Sequence, residues 1–193
     1  MAKVEHIIPF IVKWESGTVM RKGESFENLF DRAKKRGVSN DPDDLGGLTV
    51  VGVTYATYKQ YCRRKGYPAP TTHRFLALNY AQWLDILKTM YWDRWKADDI
   101  SCQSVANILV DWVWASGAYG IKIPQRILGV KVDGIVGNKT LSAVNEYPNP
   151  QKLFDVIKRE RIDFIDRICK SRPENRKFKA GWLNRLRDLR FEE

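Results

Sequence analysis

From the amino terminus, Val4, Ile7, Ile8, Ile11 and Trp14 recur at three- and four-residue spacings, which lays one apolar stripe along a helix that Gly17 ends. Phe26, Leu29, Phe30 and Ala33 share a side in the same way, so the polar stretch 18–38 holds a short helix from about Ser25 to Arg36, closed by Gly37. The pattern then changes. In NDPDDLGGLTVVGVT, residues 40–54, turn-forming Asn, Asp, Pro and Gly give way to β-branched residues, the mark of a tight turn leading into a short strand or hairpin. Thr54 is placed to cap a helix through Tyr58 and Tyr61 to Gly66, and Asn79 with Gln82 makes a capping-box pair that opens a helix through Ala81, Leu84, Leu87 and Met90. Ser101 starts a helix whose stripe is Val105, Ile108, Leu109 and Trp112 and whose stop is Gly117. A short helix near 124–128, the turn VDGIVG at 132–137, and helices over about 151–168 and 174–189 follow. The pattern predicts a mainly α protein, an α+β fold with one small β element and a helical carboxyl-terminal lobe. Regions 1–100 and 101–193 are expected to pack as one globular unit.

A length of 193 residues allows one good core or two small lobes sharing a cleft. The formal charge of +10 favours an anionic partner, whether nucleic acid, a membrane surface or a bacterial wall. No helix-turn-helix or zinc motif accompanies the charge, which leaves nucleic acid the weakest of the three. Cys62, Cys102 and Cys169 are widely spaced, form no CxxC pair and have only His6 and His73 beside them, so they read as free thiols; no metal and no cofactor are expected. The apolar run Ile7 to Val12 is broken by Pro9 and is too short for a signal-peptide core or a membrane span. A monomer made in a reducing compartment and not inserted in a membrane is the expectation.

Chemistry enters with the carboxylates. Glu15 sits at the carboxyl end of the first helix, where a negative side chain opposes the helix dipole, so its position invites either a functional account or that of a solvated surface residue. Asp41, Asp43 and Asp44 cluster in the turn, Gly46 and Gly47 let the backbone fold beside them, and Thr49 offers a hydroxyl for a water or a sugar. Taken alone, that loop reads equally as a calcium loop or a plain Asx turn.

The order WESG, NDPDDLGGLTVVGVT, LNYAQWLDILKTMYWDRW, followed by VDWVWASG and PQRILGVKVDGIVGNKTLSAV and closed by FKAGWLNRL, resembles the glycoside hydrolase family 108 muramidases of phage endolysins and prophages, with their carboxyl-terminal predicted peptidoglycan-binding region. The resemblance implies a lysozyme-like fold and cleavage of the β-1,4 bond between N-acetylmuramic acid and N-acetylglucosamine. It implies Glu15 as catalytic acid, Asp44 and Thr49 as its catalytic partners, and Asp41 as a turn residue near substrate, with Asp43 at a variable place. It also implies synthesis in a bacterial cytoplasm and action on the cell wall after export or lysis. The chain departs from the family pattern in three places: the segment 18–38 is inserted between two motifs, Ser16 and Thr18 replace a glycine and an aromatic, and Ala115 stands where the family has an asparagine. An insertion between catalytic motifs is expected to form a mobile or partly helical lid beside the cleft. The competing reading is a non-catalytic wall-binding or secretion-associated module of the same fold.

Trp14, Tyr91 and Trp92 flank these motifs and are the expected substrate-stacking rings, while Trp83, Trp112 and Trp182 lie on apolar stripes and read as core. The basic carboxyl-terminal helices, Arg161 and Arg185 included, are diluted by acids and read as a solvated face.

Overall fold

The computed structural model describes residues 1–40 and 47–192. The expected positions Asp41, Asp43 and Asp44 lie outside the described residues. The architecture is the mainly helical α+β class that the sequence pattern predicts, with one small sheet. Chain contacts divide it into two compact units, one of residues 4–93 and one of residues 1–3 with 94–193.

The first unit opens on a 3-10 turn, Val4–His6, and α1, Ile8–Ser16. Pro9 stands in the first turn of α1, where its missing N–H leaves no bond unmade, and Gly17 closes the helix in the left-handed region, donating its N–H to the Lys13 carbonyl at 2.8 Å. Val4, Ile7, Ile8 and Ile11 are buried, as the spacing predicts; Val12 is buried beside them, and Trp14 is buried only in part.

The inserted segment folds differently from a lid. Its helix, α2 (Phe26–Lys34), is capped by the Ser25 hydroxyl and buries Leu29, Phe30 and Ala33 completely, with the Phe30 ring 5.5 Å from that of Trp83. The turn before it is stapled down: the Glu24 carboxylate accepts from Arg32 Nε at 2.6 Å and Nη2 at 2.7 Å, and from the Arg21 backbone N–H at 2.9 Å. The Arg32 guanidinium, with help from that N–H, holds the Glu24 carboxyl down at about 2.

Strands β1 (Val38–Asn40), β2 (Leu48–Val50) and β3 (Val53–Thr54) form an antiparallel sheet in the order β1-β2-β3. The register pairs Val50 with Val38 and Val53, and Thr49 with Ser39 and Thr54. Because side chains alternate along a strand, the buried Val50 and Val53 share the core face and Thr49 and Thr54 share the other. Thr54 then caps α3 (Tyr55–Lys65), which Gly66 ends, both as expected. A short α4 (Thr72–Leu76) precedes α5 (Tyr80–Leu87), whose Asn79–Gln82 capping box is formed on both sides. The buried face of α5 is Trp83, Ile86 and Leu87; Trp83 and Leu87 are core as expected, whereas Ala81 is exposed and Leu84 and Met90 are only partly buried. The largest side chain sets the orientation, and a π-helical turn, Lys88–Trp92, then widens the helix by one residue per turn and brings Trp92 inward.

In the second unit α6, Gln103–Ser116, is buried along most of its length. Ser101 does not cap it; its N–H and hydroxyl go to Asn145 Oδ1, and Cys102 takes the cap position without a side-chain bond. The following α7 (Tyr119–Ile127) starts well before the expected 124, because Gly120 lets it press onto α6: a Cβ there would fall 2.4 Å from the Val113 nitrogen. Helices α8 (Asn138–Asn145), α9 (Pro150–Ser171) and α10 (Arg176–Asp188) complete the unit; the first of these has no counterpart in the sequence reading. The three cysteines are free thiols. No helix among the described residues is long and apolar enough to cross a membrane.

Candidate active site

The apolar stripe of α1 fixes the helix against the core, and this rotation leaves Glu15 and Ser16 half-buried at its end. Glu15 lies against the turn between β2 and β3. A Cβ built on Gly52 would fall 2.5 Å from Glu15 Cγ and Cδ and 2.6 Å from Oε2, so the carboxyl rests directly against the Gly52 backbone and any side chain there would displace it. Gly52 has φ of 75° and the preceding Val51 has φ of 44°, a left-handed pair that a β-branched residue does not adopt unaided.

Two hydrogen bonds hold that turn. The Val51 N–H donates to the Gly37 carbonyl at 2.7 Å, and the Val51 carbonyl accepts from the buried Trp83 Nε1 at 3.1 Å. Gly37 in turn packs closely, since a Cβ there would stand 3.1 Å from Ser16 Cβ and 3.4 Å from Val51 Cα. The end of α1, the start of β1 and the β2–β3 turn therefore meet at glycines. Sequence reasoning assigned Trp83 to the core and gave Gly37 and Gly52 no part near Glu15. The available signal was that a buried indole N–H must find an acceptor, and a hairpin turn is a natural one.

Thr49 is half-buried on the open face of β2, opposite Thr54. The Thr54 hydroxyl donates to the Thr57 hydroxyl at 3.1 Å, and the Thr57 hydroxyl lies 3.4 Å from that of Tyr91. Strand β3, the first turn of α3 and the π turn are thus joined by hydroxyls, and Tyr91 is half-buried beside them. Trp14 is half-buried too, with Lys13 Nζ 5.7 Å from its ring centroid and Phe10 6.4 Å away. Trp92 is fully buried, so its ring has no open face for a sugar, contrary to the expectation from its motif. Among the described residues the site has the Glu15 carboxyl and a row of hydroxyls on the strands and helix that follow, the equipment for proton transfer to an oxygen and for holding a polar ligand.

Residues 32–117 match the profile of the glycosyl hydrolase 108 family. The chain carries a glycosyl hydrolase 108 domain. Residues 119–187 match a second family, described as a predicted peptidoglycan domain. The glycosyl hydrolase 108 match takes in Gly37, Thr49, Gly52 and Trp83 and begins after Glu15. Among solved structures, that of Brucella abortus SagA is similar to this chain at 25% sequence identity, with a TM-score of 0.65 over 83% of this chain and 90% of that chain. No curated protein matches. With a glycosyl hydrolase 108 domain joined to a predicted peptidoglycan domain, the chain is a glycoside hydrolase of peptidoglycan.

Proposed function

We propose that the chain hydrolyses the β-1,4 bond between N-acetylmuramic acid and N-acetylglucosamine, with Glu15 as the general acid. The observation that carries this reading is the seating of the Glu15 carboxyl on Gly52. A group that must reach a glycosidic oxygen gains from being held by a backbone rather than by a mobile side chain. Glu15 gives its proton to the leaving oxygen as the C–O bond breaks, and water supplies the hydroxyl to the anomeric carbon while its proton passes to a carboxylate. Asp44 is the second carboxylate in this reading, Asp41 braces the turn, and the Thr49 hydroxyl holds the water or a sugar hydroxyl. Trp14 and Tyr91 offer ring faces to substrate. The action is on the cell wall, and the chain reaches it as a monomer by export or lysis.

Glu15→Gln keeps the size of the side chain and removes its transferable proton. Turnover should fall by about two to four orders of magnitude with little change in thermal melting. Loss of turbidity and release of muropeptides from purified walls measure it. A folded Glu15→Gln protein that clears walls at the wild-type rate ends the assignment. Released fragments that end in an anhydro sugar, one water lighter than the hydrolysis products, would end the hydrolytic reading.

A further inference from the structure

In the second unit α6, α9 and α10 line a small pocket of about 70 Å³, walled by Trp112, Phe164, Trp182, Ser116, Arg161 and Arg185. Two features set it apart from a packing defect. Its aromatic walls lie beside two guanidinium groups, and those groups share one carboxylate. Asp111 Oδ2 accepts from Arg161 Nη2 at 2.9 Å, and Oδ1 accepts from Arg185 Nε at 3.0 Å and Nη2 at 2.7 Å. Asp111 is fully buried and Arg161 is 4% exposed. Arg161 has five N–H donors; among the described residues it donates to Asp111 and to the Ile108 carbonyl, the latter at 3.3 Å, and its guanidinium lies 5.6 Å from the Trp112 ring centroid. A buried guanidinium with half a share of one carboxylate is under-neutralised, and a low-dielectric site amplifies its attraction for an anion. Burial accordingly pulls the Arg161 guanidinium below its ordinary value, with Asp111 opposing. Ser116 and Trp182 bring further donors, a hydroxyl and an indole N–H.

We propose that this pocket binds the carboxylate end of a peptidoglycan stem peptide, with Arg161 as its anchor. Pockets that hold a whole drug-sized ligand run to several hundred Å³, roughly 300 or more, so this one takes a terminal methyl and carboxylate and not a pyranose ring. A D-alanyl terminus has that shape: its carboxylate meets the guanidinium and its methyl meets Trp112 and Phe164. The proposal rests on the peptidoglycan reading and assigns the glycan and the peptide of one polymer to different residues.

The test uses the full chain labelled with ¹⁵N, titrated with N-acetyl-D-alanyl-D-alanine, with its carboxyl-terminal amide, and with the peptide-free disaccharide. The Trp182 indole resonance, assigned through Trp182→Phe, should shift saturably with the free acid in the millimolar range, about 1–10 mM. The amide should bind about tenfold more weakly or worse, since a charge-assisted bond is lost. Ser116→Phe, which fills the pocket without touching Asp111, should abolish the shift; Ala115→Trp at the rim serves if that variant does not fold. Arg161→Lys should weaken binding about tenfold by losing the planar fork. Equal binding of acid and amide, undiminished binding in the filled variants, or no saturable shift up to about 20 mM would overturn the proposal. Cleavage of peptide-free glycan by the same preparation reports on the hydrolase separately. Cleavage without peptide binding sinks the pocket alone, and peptide binding without cleavage sinks the hydrolase reading alone.

Discussion

Gly52 has two separate reasons to lack a side chain, and they act on different properties. Its φ of 75° lies in the left-handed region, which costs another residue about 1 kcal/mol of stability. Its Cα faces the Glu15 carboxyl so closely that a methyl group there would stand 2.5 Å from Glu15 Cδ, and the flexible partner is the one that must move. With Glu15 as the proposed general acid, Gly52→Ala should therefore lower melting modestly yet cost activity heavily, by about two orders of magnitude or more, because displacing such a group by about 1 Å is that expensive. Turnover on walls and thermal melting, measured together, separate the two effects. If Gly52→Ala melts lower but turns over at the wild-type rate, the position of Glu15 against this turn has no part in catalysis. Gly37 and Trp83 act one step back, through the two hydrogen bonds that fix Val51.

At the scale of elements, the readings that held were those governed by local chemistry. Thr54 and Asn79 cap their helices and Gly17 and Gly66 end theirs, because a cap is decided within one turn of chain. The face of α5, the π turn and the early start of α7 depend on what packs against them, and no local spacing encodes that. The inserted segment illustrates both. Its helix was legible from Phe26, Leu29, Phe30 and Ala33, but the same stripe argued against a lid, since three fully buried side chains tie α2 to the core. Motif order marks Glu15 and Thr49 as candidates, whereas the seating of Glu15 on Gly52 and the bond from Trp83 to Val51 are matters of tertiary contact. The staple from Glu24 to Arg32 gives the segment a pH signature. The folded-state value of about 2 lies below the ordinary carboxylate value, so the ionised form is favoured by folding. The stabilisation is present above the ordinary value, near 4.3, and is lost as pH falls toward about 2. The stability difference between wild type and Glu24→Gln, followed by thermal melting, should hold steady from neutral pH down to that range and then shrink on further acidification. A difference that is independent of pH down to about 2 would remove Glu24 from this role.

For the whole molecule, a formal charge of +10 supplies a general pull toward an anionic wall, but it does not distinguish one basic residue from another. On the carboxyl-terminal helices most cations do form the solvated face that the sequence suggests, as in the exposed pairs Lys179–Asp166 and Arg167–Glu160. Arg161 and Arg185 leave that face. They turn inward to Asp111, an acid set within the otherwise apolar run of α6, and so join segments 50 and 74 residues apart in the chain. Burial pushes the Asp111 carboxyl up, and the two guanidiniums outweigh it and hold it below the usual carboxylate range. The carboxylate is thus the charged partner around which three helices of the second unit are assembled. Asp111→Asn preserves shape and removes that charge, leaving two guanidiniums facing a neutral amide in the interior. Breaking a buried pair in this way costs about 3–5 kcal/mol, which for a chain of this size lowers melting by roughly 10 °C. Replacing Asp111, Arg161 and Arg185 together by Leu, Met and Met should recover a good part of the loss, because apolar packing often substitutes for a complete buried ionic cluster whereas removal of one member does not. Calorimetry of the single and triple variants decides it. If Asp111→Asn melts with the wild type, the two arginines are neutralised elsewhere and the assembly of α6, α9 and α10 does not depend on this carboxylate.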